Sequence, residues 1–400
     1  MKRNLYYYIG LLSGLFLIAC SDQIGDSEPS IGQGQDEGTY LFIQVGNSLQ
    51  GGQTKTISSV CVLVFNEKNI LETIGTSTTL EDEVQNASES LRAFSVSPGK
   101  KKIILVANVG ETFINGTNGY THSVFKEGQE LDEVLNLTKE YEDIDAGSEI
   151  GDTDPLQENC HLSLNSGVYD VDILPGMVNC LGMTDEKMNS ASIIDAALQP
   201  VTSIRHNLDT SSSVSLYFNT ALVQSEIVVD ADEKVYPNAR LEERRIFVLN
   251  AKNKTKLVGK DGKAWGTTFV AENSLSGIED AKVLSSTEEF YLYENTNIND
   301  PTLLVVQGNF TYDNPDVEGG RLSINDCYYV VKIGVGLDYS NLALPVGNRE
   351  QEQIQGLLRN VRYNIKMTIT QPYTDSPLDV LTKSGSNNSA CVAETEVTAM

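Results

Sequence analysis

From residue 39 onward the sequence is a series of short runs of β-branched and aromatic residues, each closed by Gly, Asn, Asp or Pro. TYLFIQVG (39–46), SSVCVLVF (58–65), KKKIILVANVG (100–110) and HLSLNSGVYDVDILPG (161–176) come first. SSSVSLYF (211–218), RRIFVLN (244–250), FYLYEN (290–295), TLLVVQGNFTY (302–312), CYYVVKIG (327–334) and VRYNIKMTI (361–369) come after them. Side chains of these types pack well on a pleated surface, and the turn residues between them stop each run after a strand's length. Several runs alternate polar and apolar residues, as strands with one buried face do. Helical periodicity is scarce, with a turn or two expected at 192–198 and 348–358. The pattern restricts the chain to an all-β architecture, expected as two sandwiches. The boundary is expected at 199/200, after the polar stretch 184–198, giving an N-terminal sandwich over 39–199 and a C-terminal one over 200–400. No repeat of 20–50 residues is visible.

The N-terminal segment has a different logic. Lys2 and Arg3 precede an uncharged run, LYYYIGLLSGLFLIA (5–19). About 20 apolar residues are needed to span a bilayer, so this run suits a secretory leader instead. It ends in Leu17-Ile18-Ala19-Cys20 and turns polar at once with Ser21-Asp22. That sequence resembles a bacterial lipobox, in which the cysteine thiol receives a diacylglycerol before the leader is cut. Residues 1–19 are therefore expected to be removed and Cys20 to be acylated. Each buried acyl CH₂ contributes about 0.8 kcal/mol, so two or three chains hold a protein stably on a membrane. Residues 20–38, rich in Gly, Gln, Ser and acids, read as a flexible tether.

Charge and chemistry narrow the function. The formal charge is −26, and losing Lys2 and Arg3 takes it to −28. A body so acidic repels nucleic acid and anionic head groups, so no nucleic-acid partner is expected. The histidines, His122, His161 and His206, are far apart and lie in no catalytic motif. No nucleophile elbow, zinc-protease motif, phosphate loop or dinucleotide fingerprint occurs. The single tryptophan, Trp265, reads as a loop packing residue and not as a sugar platform. The acidic stretch KEYEDIDAGSEIGDTDPLQE (139–158) has the wrong spacing for a calcium loop and reads as a solvated loop. No cysteine or histidine set has zinc-ligand spacing, so neither metal nor cofactor is expected. Apart from Cys20 the cysteines are Cys61, Cys160, Cys180, Cys327 and Cys391, an odd number. Cys160 and Cys180 are the nearest candidates for a disulfide in sequence, and spacing alone does not establish it. The chain reads as a non-enzyme.

The order of segments carries a resemblance. A lipobox, an acidic tether and an isolated strand TYLFIQVG precede SSVCVLVFNEK and PGKKKIILVANVG. FYLYENTN, PTLLVVQGNF, YYVVKIG and LLRNVRYNIKMTITQP come later. This resembles the fimbrillin family of Bacteroidales, the lipoprotein subunits of type V pili, over nearly the whole mature chain. The ILVANVG and RNVRYNIKMTI segments carry most of it. The resemblance implies two tandem transthyretin-like sandwiches on an outer-membrane-anchored, surface-exposed subunit whose partners are other fimbrial subunits. It also implies assembly by strand exchange: a protease cuts the loop after the first strand, the strand leaves its groove, and another subunit's last strand fills it. Leu41, Ile43 and Val45 would then be the groove-filling side chains. Cys391, Ala393, Thr395, Val397 and Ala399, on one face of SACVAETEVTAM (389–400), would be the donor face. Two features depart from the family pattern. The loop NSLQGGQTKTI (47–57) has no arginine, and Lys55 is its only basic residue. The donor face has small side chains, which fill a groove weakly. An uncut anchor or accessory subunit, or a surface lipoprotein binding glycan or host protein, are the alternatives.

Overall fold

The computed structural model describes residues 38–45, 59–78, 90–108, 125–140, 163–182, 200–205, 214–252, 254–258, 274–275, 283–284, 289–340, 342, 355–375 and 390–400. Thr39–Met400 forms one unit. Its first strands are β1 (Tyr40–Gln44), β2 (Ser59–Phe65), β3 (Leu71–Thr78), β4 (Ser90–Ser95), β5 (Gly99–Ala107), β6 (Thr138–Glu140), β7 (Leu164–Ile173), β8 (Val178–Leu181), β9 (Val201–Ile204) and β10 (Tyr217–Phe218). They build a four-stranded sheet, β4-β1-β8-β9, facing a five-stranded sheet, β10-β7-β5-β2-β3. Leu41 and Ile43 from the first sheet and Val62, Val64, Ile103 and Leu105 from the second share one core.

The five-stranded sheet is buried on both faces, which is why β2 and β5 read as unbroken apolar runs and not as alternating ones. The second face of these strands presents Cys61, Leu63, Phe65, Ile104 and Val106. A five-residue helix, α1 (Leu131–Leu135), covers it with Leu131 and Val134, together with Phe125, Leu257 and Val258. The triple-lysine run is not a basic patch: Lys101 is buried and pairs with Glu72 at 2.6 Å, while Ser97 Oγ accepts from its ammonium.

The second set of strands is β11 (Ala221–Val229), β12 (Arg240–Leu249), β13 (Ala251–Lys252), β14 (Lys254–Lys256), β15 (Ser274–Leu275), β16 (Val283–Leu284), β17 (Glu289–Leu292), β18 (Leu303–Asp313), β19 (Arg321–Lys332), β20 (Val361–Ile369) and β21 (Cys391–Ala399). Sheets β17-β11-β20-β21 and β16-β12-β18-β19 enclose a second core around Val223, Val306, Phe310, Tyr329, Tyr363 and Met367. One arrangement recurs. The first strand of each set, β1 or β11, pairs antiparallel on one side and parallel on the other.

The all-β expectation holds. The expected boundary at 199/200 does not match the strand pairing. β9 pairs in parallel with β8, and β10 pairs with β7, so the chain stays in the first pair of sheets as far as Phe218. Sequence order alone suggests a break where polar residues accumulate, whereas hydrogen bonding to strands laid down earlier decides membership. The two sets are further joined where β14 pairs with β6. Of the expected strand 211–218, the described part is a bridge at Val214 and the two residues of β10. β3, β4, β8 and β11 lack a long apolar run of the kind that marked the other strands. The short helix expected at 192–198 lies outside the described residues; of the one expected at 348–358 only 355–358 is described, and there Leu357 forms a β-bridge with Asn295 instead.

Candidate functional site: the first strand, its groove and the last strand

β1 is an interior strand. On one edge Tyr40, Leu41, Ile43 and Gln44 pair antiparallel with Ser95, Phe94, Leu91 and Ser90 of β4, with a register shift between Leu41 and Ile43. On the other edge Tyr40 to Ile43 pair in parallel with Val178 to Leu181 of β8. Val45 adds a parallel bridge to Val214. Leu41 and Ile43 are fully buried and Val45 is 2 % exposed, all three in the first core. Each such side chain contributes about 1.5–3 kcal/mol by leaving water. Phe42 points the other way and packs with Val178 and Cys180. The period-two alternation of Leu41, Ile43 and Val45 thus matches their burial, and the strand that carries them is paired on both edges.

Polar contacts fix where β1 starts. Tyr40 N donates to Met177 O at 2.9 Å, and Gly176 N donates to Thr39 Oγ1 at 2.9 Å. Asn179, fully buried, donates from Nδ2 to the carbonyls of Tyr40, Leu174 and Met177 and accepts from Leu174 N. At the far end Gly182, at φ +90°, passes so close to Gln44 that any side chain there would overlap the Gln44 carbonyl. The bonds to Leu174 and Met177 lie within its own turn, and the sequence offered no signal for the one to Tyr40, which tertiary pairing brings in from 139 residues earlier.

Among the described residues β21 is bound on one side only. It pairs antiparallel with β20 from Val361↔Ala399 to Ile369↔Cys391 and forms the edge of its sheet. Cys391 is 9 % exposed and Val397 packs against the second core, but Ala393 is exposed and Thr395 and Ala399 are half-buried. The other face, with Val392, Glu394 and Glu396, is exposed. Met400, next in the chain, is buried in the first core with Leu41, Ile43 and Val45.

The two sites meet through a pair of residues preceding β20. Arg359, fully buried, donates to Glu294 Oε1 at 2.7 Å, Thr255 Oγ1 at 2.6 Å, Lys256 O at 3.0 Å and Asn219 Oδ1 at 3.2 Å. Burial pushes the Glu294 carboxyl above its usual range, and the Arg359 charge opposes that shift. Asn360 accepts from Phe218 N through Oδ1 at 3.0 Å and from Met400 N through its carbonyl at 3.0 Å, and its own N donates to Thr220 O. Arg359 and Asn360 lie within RNVRYNIKMTI, so the sequence marked the segment without disclosing its role.

Cys20, Lys55 and Cys160 lie outside the described residues, as do His122, His161, His206, Trp265 and most of the acidic stretch, 141–158. Cys180 is a buried free thiol, pushed up to about 11 by burial. Among the described residues no helix is long and apolar enough to cross a membrane.

Comparison with known proteins bears on the fold. Residues 46–217 match the family model of the major fimbrial subunit protein (FimA), a segment that ends within β10. A fimbrilin from Porphyromonas gingivalis shares the fold at TM-score 0.54 and 16% identity, over 91% of this chain and 98% of that one. A Parabacteroides distasonis protein described as a candidate cell adhesion protein does so at TM-score 0.54 and 15% identity, over 90% and 99%. At such identity the likeness is one of fold. No curated protein sequence gave a match. Residues 46–217 thus match the major fimbrial subunit family, and over nine-tenths of its length the chain shares the fold of a fimbrilin.

Proposed function

We propose that this chain is a structural subunit of a type V fimbrium, exported as a lipoprotein acylated on Cys20, and that it assembles by strand exchange into a polymer mediating adhesion. The observation that carries the reading is the position of β1. A five-residue strand paired on both edges, with Leu41, Ile43 and Val45 in the core, would on leaving uncover two strand edges and an apolar slot together. Such a slot accepts an extended segment, main chain to main chain, with alternate side chains entering it. In this reading a protease opens the loop 47–57, with Lys55 as the basic residue available, and the face of Cys391, Ala393, Thr395, Val397 and Ala399 is the donor. The partners are other fimbrial subunits and the outer membrane, and the mature subunit stands in two transthyretin-like halves.

Intact mass and N-terminal sequencing of protein sheared from its native cell surface test this. A chain beginning within or just after 47–57 is the expected result. A chain beginning at acylated Cys20 would overturn strand removal and leave an uncut anchor or accessory subunit. The burial of Met400 and the small donor side chains favour that second reading, because they make the last strand self-satisfied.

A further inference from the structure

We infer that Met400 is a latch coupling the first strand to the last, so that β21 is held in place while β1 occupies its groove and loosens when β1 leaves. The inference rests on the strand-exchange reading for its use, but its physical content is independent of polymerisation. β21 belongs to the second pair of sheets, yet the residue after it is seated in the core of the first. Met400 is 6 % exposed there, in the same continuous apolar cluster as Leu41, Ile43 and Val45. Interiors are close-packed, so withdrawing three large side chains from one cluster weakens the seats of the others.

A second link runs along the backbone. Val45, just past β1, bridges to Val214. Four residues on, Phe218 donates its N–H to Asn360 Oδ1, and the Asn360 carbonyl accepts from Met400 N. With the short backbone stretch 214–218 between the bridge and the hydrogen bonds, one chain of interactions connects the two strands. Arg359 anchors its centre by binding Asn219, Thr255, Lys256 and Glu294 at once. Elsewhere β21 is lightly held. Among the described residues it has one partner strand, β20, and Val392, Ala393, Glu394 and Glu396 are exposed, so the Met400 seat is the buried anchor at its C-terminal end. The consequence would be order: a subunit whose first strand is in place keeps its own last strand, and removal of the first makes the last available.

Coupling between two sites is reciprocal, and this supplies the test on the uncut chain. Amide hydrogen exchange is measured in β1 and β21, with β18 and β19 as the internal reference. Met400→Ser is expected to speed exchange in both β21 and β1 by about tenfold over the reference, and Leu41→Ala to speed β21 as well as β1. Val392→Ser, at an exposed position of β21, is expected to leave β1 unchanged. Should Met400→Ser not fold, Met400→Val makes the same measurement with a smaller change. Acceleration confined to the mutated strand, or spread equally over β18 and β19, would overturn the latch. Polymers formed by a chain whose two strands exchange independently would remove the latch and leave strand exchange standing. Coupled exchange in a protein sheared from cells with Cys20 as its first residue would do the reverse.

Discussion

β1, of five residues, and β21, of nine, are held in opposite ways. β1 has a partner on each edge and puts Leu41, Ile43 and Val45 at 0 %, 0 % and 2 % exposure. β21 has a partner on one edge, and of its nine residues Cys391 alone is buried. The core space that β1 fills is what holds it, whereas β21 is held by its ladder to β20, by Cys391 and Val397 on the second core and by the seat of its C-terminal neighbour, Met400. A strand held by apolar filling leaves a shaped hole, whereas a strand held at an edge leaves its sheet intact. That asymmetry is what an acceptor and a donor require.

The largest effects should come from emptying the groove. Leu41→Ala and Ile43→Ala are each expected to cost about 2–5 kcal/mol in urea unfolding. Val397→Ala in β21 should cost about 1 kcal/mol. Equal losses at the two strands would break the comparison. Next comes the joint between them. Arg359→Met leaves Glu294 buried without its partner and should cost about 3–5 kcal/mol. Adding Glu294→Met should restore much of it. A third effect is steric. Gly182→Ala must displace Gln44 and should lower stability by about 1–3 kcal/mol while speeding exchange in β1 ahead of β21.

The smallest effect is chemical. Burial pushes the Cys391 and Cys61 thiols up to about 12 and Cys180 up to about 11, from 9.0. Unfolded thiols ionise first, so the stability these groups supply is complete below about pH 9 and is lost as pH rises through 11–12. At pH 8 native alkylation should therefore be slow at all three. Cys391, on the edge strand, is expected to react first. Cys61 or Cys180 reacting before it would reverse the ranking of the two strands.

Much of this was legible in the residues. Leu41, Ile43 and Val45 alternate, and a period of two fixes which face is buried whatever the neighbours are. The apolar runs of β2 and β5 announced strands covered on both sides. α1 escaped because five residues carry too little periodicity, and β3 because LETIGTST alternates weakly. The expected boundary at 199/200 failed at β9 and β10, whose partners, β8 and β7, precede them in the chain.

The sequence by itself determined the all-β class, the inward face of β1 and the places where the chain turns, because these depend on local sterics and on a two-residue period. Tertiary structure alone decided that β1 lies between β4 and β8, that Arg359 meets groups 65 to 140 residues earlier, and that Met400 sits in the first core. Periodicity states which side of a strand seeks burial. It does not name the strand beside it, since pairing joins segments far apart in the chain and is chosen by the packing of the whole.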